Sequence, residues 1–430
     1  MPSPTRTGLL HDPLPPARLP PPCPGGDPVR PPSPPELLSP WRTPERVALQ
    51  QEARDVARDV VLPIADELDP QKAEMPPSLI EDLAARGWFG ITIPAESGGM
   101  GLGVFEYCLV SEELARAWLS VASILARGQG LGTQVVDDDR RADLLARSAK
   151  GAWIGSIALS EPTAGSDLAG VQTRAVRDGD DWVLTGRKRW AGNALAADFV
   201  EVLARVRDPE EGESRSAGLE PFLVVKDRGT FPDGMTGTVI DKIGYHGFLT
   251  WELELDGVRV PDSDRLTGLY GDENADADEG GFASVQRGLN IARVHTAARA
   301  VGVARAAVED CTLYLQEREQ FGHPIAEFQA LRFALADMAA EVAQARAFWQ
   351  QVAHLLDEGE PAEKESAAVK LLATEMAVRV TNQAMQLHGG NGYTTERRVE
   401  RYWRDARLTT IFEGTSEIQR RIISDRMLPR

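Results

Sequence analysis

From Thr43 to about Gly155 apolar residues recur every three or four positions, which predicts helices. Thr43-Pro44-Glu45 reads as an N-cap followed by proline at the first helical position. PSLIEDLAARGWFG reads as a short amphipathic helix ending near Gly87. From about Ile157 to Pro261 the period shortens to two. In TWELELDGVRVP, Trp251, Leu253 and Leu255 fall on one face and Glu252, Glu254 and Asp256 on the other. DWVLTGRKRWAGN, FVEVLARV and PFLVVKD predict further strands, and together these segments predict a small antiparallel barrel or sandwich. From about Phe282 helical spacing returns. Phe328, Leu331, Leu335, Met338, Val342, Ala345, Trp349, Val352 and Leu356 form one stripe on a helix roughly 45 Å long. Segments 282–318 and 363–388 show similar periodicity, and such helices belong in a bundle. The expected fold class is α+β: an N-terminal helical domain over 41–156, a small antiparallel β-barrel domain over 157–270 and a C-terminal helical bundle over 271–430.

Composition adds limits rather than a function. Residues 1–40 are dense in proline and poor in large apolar side chains, so a disordered or polyproline II tail is expected there, without the apolar stretch of a signal peptide. The formal charge of −18 opposes a general affinity for nucleic acid. Cys23, Cys108 and Cys311 are far apart and form no paired motif, which fits a reducing cytoplasm and implies neither disulfide nor zinc. The six histidines include no ligand-spaced pair, so no metal site is read, and no apolar run has the length of a membrane span.

Two stretches invite chemistry. PAESGGMGLG is rich in glycine, but Gly101-x-Gly103 lacks the third glycine and the βαβ setting of a nucleotide loop, so it reads as a flexible connection; GLYGDENADADEGG reads as an acidic loop. Near the end of the chain, IFEGTSEIQR places Glu413 between bulky Ile411 and Phe412 and a run of small residues. A carboxylate in an apolar pocket has its charged form disfavoured, which suits it to act as a base. Taken alone, Glu413 reads first as a surface acid or a helix cap.

Five segments change that balance. IALSEPTAGSDLAGVQTRA (157–175) and LTGRKRWAGNALAADF (184–199) closely resemble the β-domain signatures of acyl-CoA dehydrogenases. EREQFGHPIAEFQALRFALADM (317–338), QLHGGNGY (386–393) and RDARLTTIFEGTSEIQR (404–420) resemble the signatures of that family's C-terminal domain. The resemblance covers about residues 43–428, in order. It implies an N-terminal helical domain, a β-barrel and a C-terminal four-helix bundle, assembled as a homotetramer. It also implies an FAD enzyme that oxidises an acyl-CoA thioester to the trans-2-enoyl form and passes electrons to electron-transfer flavoprotein.

The resemblance carries roles onto particular residues. Glu413 would remove the α-proton while flavin N5 takes the β-hydride, its own backbone N–H helping to hold the thioester oxygen between Phe412 and Gly414. Arg293 matches an arginine close to the base, and Asn290 stands near the CoA arm. Ser160 would line the flavin, Ser166 would lie close to both flavin and thioester, and Trp190 would cover one flavin face. Arg318 would meet the pyrophosphate from a neighbouring subunit, with Phe321, Phe328 and Gln329 flanking the dinucleotide. Gln386, Gly389 and Gly390 would approach it with backbone, and Thr415 and Glu417 would complete the site.

Two positions depart from the pattern. Many members carry Trp-x-Thr where this chain has Trp190-Ala191-Gly192, so the threonine hydroxyl that bonds flavin N5 is missing. His246 stands where an arginine is common. Gly192 keeps an acyl-CoA oxidase open as an alternative to a dehydrogenase, and a catalytically silent assembly or binding protein ranks third. The acyl group, on CoA or a carrier protein, depends on side chains around Trp118 to Gln129, where Arg127 reads first as a surface arginine and only second as a partner for a carboxylate on a dicarboxylic acyl group, as in glutaryl-CoA dehydrogenases.

Overall fold

Thr43 caps the first helix as its sequence predicts, its hydroxyl accepting from the Arg46 N–H at 3.2 Å. The computed structural model describes residues 36–135, 137–266 and 281–428; most of the proline-rich tail and the acidic loop lie outside them. The first helical region runs through α1 (Pro44–Val56), a π-type turn (Ala57–Val61), α2 (Leu62–Leu68), α3 (Pro77–Ala85), α4 (Val104–Ala117), α5 (Leu119–Leu125) and α6 (Asp138–Ala149). Helix α3 stops where expected, Gly87 following it at φ 75°. The glycine-rich loop leads into α4, but the N-terminus of that helix is already filled by the Asp357 carboxylate, which accepts from the Val104 and Phe105 N–H groups at 2.6 and 3.0 Å. It is a structural joint, not a phosphate loop.

Seven strands follow: β1 (Gly155–Ala158), β2 (Arg174–Asp178), β3 (Asp181–Gly192), β4 (Phe199–Arg205), β5 (Leu219–Val225), β6 (Met235–Val239) and β7 (Thr250–Pro261). They form one curled sheet in the order β1-β4-β2-β3-β7-β6, with β5 on the other side of β4. The alternation read from β7 holds: Trp251, Leu253 and Leu255 are buried, then Gly257 at φ 77° inserts a bulge that shifts the buried set to Val258 and Val260. One expectation needs correction. The sheet is mixed, because β1 pairs parallel with β4, Gly155 opposite Phe199. Alternation reports which face of a strand is buried and is silent on the direction of its neighbour.

The last part holds α7 (Gly281–Glu317), a two-residue hairpin of β8 (Glu319–Gln320) and β9 (His323–Pro324), α8 (Gln329–Asp357), α9 (Glu363–His388), α10 (Val399–Thr409) and α11 (Ser416–Met427). On α8 the predicted stripe is the packed face, with Met338, Val342, Ala345, Trp349 and Val352 buried and Leu331, Leu335 and Leu356 partly so. The helices before and after the sheet share one core, in which Trp88, Phe105 and Leu109 meet Val301, Trp349 and Val380. A buried ionic network joins them as well. Glu113 of α4 binds Arg305 of α7 and faces Arg54 of α1, and Glu112 of α4 binds Arg305, Arg346 of α8 and the Trp349 indole. Removing a single partner from such a network strands a buried charge. The sheet keeps a separate core around Leu184, Val202, Phe222 and Leu253.

Candidate active site

Glu413 lies in the turn between α10 and α11 with φ 53°, a left-handed backbone that a non-glycine residue adopts only where its surroundings hold it. The restraint is visible. The Lys370 ammonium, from α9, donates to the Gly414 carbonyl at 2.6 Å, and the Gln419 amide donates to the Gly414 and Glu413 carbonyls at 2.9 and 3.2 Å. Gly414 has φ 84°, and a Cβ there would lie 2.5 Å from the Gln419 amide nitrogen, so only glycine fits beside the pinning group. Both carbonyls are thus tied back. Among the described residues no backbone acceptor takes the Glu413 N–H.

The surroundings of Glu413 are less apolar than its neighbours in sequence suggest. Ile411 points outward and is half exposed. The wall is Phe412, whose ring lies 6.0 Å from Tyr245, itself 5.2 Å from Phe248. Three cations complete the surroundings. Arg293 is buried, its Nη1 donating to Asn290 Oδ1 at 2.6 Å, while its Nε has no partner. It is no surface ion pair: burial pulls its pKa down, and Glu363 and Glu413 pull it back up. Arg299 stands 4.9 Å from the Phe412 ring. Lys370 has no exposed surface; burial lowers its pKa to about 7, with Glu413 opposing and Arg293 and Arg299 adding to the fall. The sequence reading missed Lys370, since a lysine 44 residues from Gly414 on an amphipathic helix carries no local mark.

The β-domain presents a second wall. Arg189 N–H donates to the Ser160 carbonyl at 2.9 Å, which sets the first signature loop against the end of β3. That loop is held from inside: the Glu161 carboxylate accepts from the Gln172 and Thr173 N–H groups and from the Lys188 ammonium at 2.8, 2.9 and 2.8 Å. Lys188 and Glu161 are buried, and burial brings Lys188 down to about 8 against the pull of Glu161. Ser166, further along the loop, is exposed. Trp190 is a bulge residue left out of the β3–β7 pairing, with φ 71° and a ring 54 % exposed. Next to it, Gly192 has a structural reason. A Cβ there would lie 2.2 Å from the Phe248 ring. Phe248 therefore takes the space of a side chain at 192 and links this wall through Tyr245 to Phe412.

A third group of expected site residues lies elsewhere. Arg318, Phe321, Phe328 and Gln329 follow the far end of α7, and Gln386, Gly389 and Gly390 end α9 beside them, with the Tyr314 hydroxyl donating to the His388 carbonyl at 3.2 Å between the two. The Arg318 guanidinium makes no ion pair among the described residues; Phe321, 90 % exposed, meets Phe328 edge to face at 5.9 Å. Arg293, inside α7, and Arg318, just past its end, are 25 positions apart, or roughly 37 Å at the helical rise. One chain therefore brings Glu413, Arg293, Asn290, Phe412 and Gly414 together, and places the Arg318 and Gln386 groups at the other end of the bundle. Thr415 caps α11, accepting from the Ile418 N–H at 3.3 Å, and Glu417 is exposed in its first turn. His246 has no catalytic neighbour; it lies between Asp69 and Arg404, and its contacts with Asp69 hold its pKa up against burial.

The donor set tests whether a flavin dinucleotide fits. The groups that ring, pyrophosphate and adenine require are a flat exposed indole beside tied-back loop carbonyls, a free guanidinium with an exposed phenyl, and backbone open to close approach. Trp190, Arg318 and Phe321 supply the first two, and Gly389 and Gly390 the third, since a Cβ at either would meet nothing within 4 Å; the residues fit. Among the described residues no group of three or more His, Cys, Asp or Glu could hold a metal ion, and no helix is long and apolar enough to cross a membrane.

The chain belongs to the acyl-CoA dehydrogenase family: family models described as the acyl-CoA dehydrogenase N-terminal, middle and C-terminal domains match residues 43–151, 156–258 and 279–428. It is 38 % identical over 391 residues to a probable acyl-CoA dehydrogenase, YngJ, of Bacillus subtilis, covering 90 % of this chain and 98 % of that one. The structure of butyryl-CoA dehydrogenase from Megasphaera elsdenii aligns with a TM-score of 0.81 at 32 % identity, over 90 % of this chain and 98 % of the other. A glutaryl-CoA dehydrogenase from Mycobacterium smegmatis in complex with FADH2 aligns with a TM-score of 0.81 at 26 % identity, over 90 % and 96 %.

Proposed function

We propose that this chain catalyses the FAD-dependent α,β-dehydrogenation of an acyl-CoA thioester, with Glu413 as the base. The observation that carries the reading is the strained turn at Glu413, φ 53°, whose carbonyls are fastened by Lys370 and Gln419 while its N–H stays unengaged. That arrangement lets one residue do two things. Its carboxylate takes the α-proton, and its N–H donates to the thioester oxygen, where negative charge grows as the proton leaves. Arg293, Arg299 and Lys370 surround the developing enolate with positive charge. Phe412, Tyr245 and Phe248 exclude water. When bound, FAD supplies the two-electron acceptor for the β-hydride.

Ser160, Ser166, Trp190 and Gly192 would hold the flavin end, and Arg318, Phe321, Phe328, Gln329, Gln386, Gly389 and Gly390 the pyrophosphate and adenine. By the family resemblance the second group would serve a neighbouring subunit's cofactor, and Arg318 lies roughly 37 Å along the helix axis from Arg293 of this chain's own site. Exposed Phe321, Phe333, Leu372 and Tyr393 suit such an assembly, for which a homotetramer is the expected form. Electron-transfer flavoprotein is the expected oxidant.

The test is the purified holoprotein mixed anaerobically with a panel of acyl-CoAs. Flavin bleaching by at least one is expected, and Glu413→Gln should retain FAD and lose bleaching by about 10²–10⁴-fold in rate. Bound flavin that no acyl-CoA reduces would overturn the reading. Gly192, which brings no hydroxyl to the flavin edge, favours a second reading in which oxygen is the final acceptor. Peroxide formed at the rate of substrate turnover would establish it.

A further inference from the structure

Besides Arg293, two guanidiniums near the reacting centre have no carboxylate partner among the described residues. Arg299 is 3 % exposed; its Nη atoms donate only to hydroxyls, to Ser123 Oγ at 2.6 Å and Thr296 Oγ1 at 2.7 Å, and its Nε has no acceptor. Arg127, just beyond α5, is partly buried, with a sealed Nε that bonds to nothing and a guanidinium 5.5 Å from the Phe248 ring. Neither makes an ion pair among the described residues. Arg54, Arg116, Arg305 and Arg346, by contrast, all meet Glu112, Glu113 or Glu309, and buried Arg205 donates to four backbone carbonyls. A cation taken out of water without a counter-charge is strongly disfavoured, so a pair of them beside one site calls for an anion.

Among the described residues no carboxylate bonds to either guanidinium. Glu201, on β4, is the carboxyl on which Arg127 acts, yet neither of its oxygens has a hydrogen-bond partner. Burial pushes Glu201 well above the usual carboxylate range, against the pull of Arg127, which disfavours the charged form that would compensate Arg127. His295, from α7, is held neutral by burial and by the charges of Arg299 and Arg127; it bonds Ser111 Oγ at 2.9 Å. All of this surrounds the same phenol. Tyr245 is raised by burial, lowered by Arg299, Ser123 and Arg127, and raised by Glu413. Arg127 lies against the Phe248 ring and Arg299 against the Phe412 ring, with Tyr245 between the two rings, so both arginines line the space beside this aromatic run.

We infer that this space receives a carboxylate on the distal end of the acyl group: the substrate is an acid-ended acyl thioester, docked on the open Nη face of Arg127 with Arg299 as the second positive charge. The planar fork of an arginine matches a carboxylate with two parallel N–H donors. The occupied Nη atoms of Arg299 make it the fixed charge, and the unbonded ones of Arg127 make it the docking group. Acids and methyl-ended acyl chains are then separated by more than fit. A methyl group would leave both guanidiniums unpaired, and a site built around a polar partner rejects the analogue that lacks it strongly.

The inference rests on the dehydrogenation reading, and its test separates the two. The holoprotein is assayed with succinyl-, glutaryl- and adipoyl-CoA against butyryl-, pentanoyl- and hexanoyl-CoA, following flavin bleaching and the flavin spectral shift on binding. At least one acid-ended member should exceed its methyl-ended counterpart in kcat/KM by about 100-fold. Arg127→Met should erase that ratio, with Arg127→Lys restoring part of it, in variants whose flavin content and melting match the parent. Methyl-ended thioesters turned over as well as the acids, with a ratio unchanged in Arg127→Met, would overturn the inference. Tighter binding of the acids with no bleaching by either class would support the anion site and overturn the dehydrogenase reading. Neither bleaching nor preference would overturn both.

Discussion

The Lys370 ammonium, which has no exposed surface, donates to the Gly414 carbonyl at 2.6 Å and so fixes the residue after the candidate base. A second donor, Gln419, holds the same carbonyl, so the turn should survive without the lysine while losing its exact seat. Lys370→Met is expected to retain flavin and to lose about 10- to 100-fold in kcat, the usual cost of a small misplacement. Stopped-flow bleaching by a good substrate measures it, and an unchanged rate would remove Lys370 from the positioning of Glu413.

The same lysine makes stability depend on pH. Its folded pKa, about 7, is below the ordinary value of 10.5, because burial disfavours the charged form. Between those values the unfolded chain binds the extra proton, so the contribution of Lys370 to stability rises with pH across that window and is least favourable below pH 7. The melting temperature of the parent relative to Lys370→Met should therefore climb between the folded pKa and the ordinary one. A flat difference across that range would mean that Lys370 is not titrating in the fold.

Phe248 sets the residue at 192. Gly192→Thr, which would supply the missing hydroxyl, is expected to destabilise the protein by about 1–3 kcal/mol through overpacking against that ring. Phe248→Ala together with Gly192→Thr should recover most of the loss. If the double variant binds flavin, its rate of reoxidation by oxygen compared with the parent tests whether Gly192 governs the final acceptor.

The first signature loop depends on a residue pair that it does not advertise. Lys188→Met leaves the Glu161 carboxylate buried without its counter-charge and should cost about 3–5 kcal/mol. Flavin retention on gel filtration should fall before circular dichroism changes, because Glu161 ties the loop at residues 172 and 173 rather than the sheet. Glu161→Gln with Lys188→Met, which removes both charges, should be milder than either single change.

Much of the candidate site could be read from the chain because its motifs are local. The turn at Glu413, the exposed Trp190 and the Gly389-Gly390 pair each belong to a short segment whose residue types suit its role. What escaped was residues that act across the fold. Lys370 and Lys188 are unremarkable in their own helix and strand. Arg127 had two readings because nothing adjacent to it states whether a carboxylate lies opposite. The expectation that Ile411 would help to dry the base failed for a related reason: neighbours in sequence at a tight turn point in different directions.

Where helices give way to strands and return, which faces they bury, and which five segments carry the family's chemistry were all legible in the order of residues. Those properties are set by period and by turn residues, within a few positions of each residue. Only the folded chain decided that helices on either side of the sheet share one core, that β1 runs parallel to β4, and that Phe248 excludes a side chain at 192. It also left Arg127 and Arg299 without an anion beside Glu413. Packing and charge act through space, over short distances between residues that the chain separates widely.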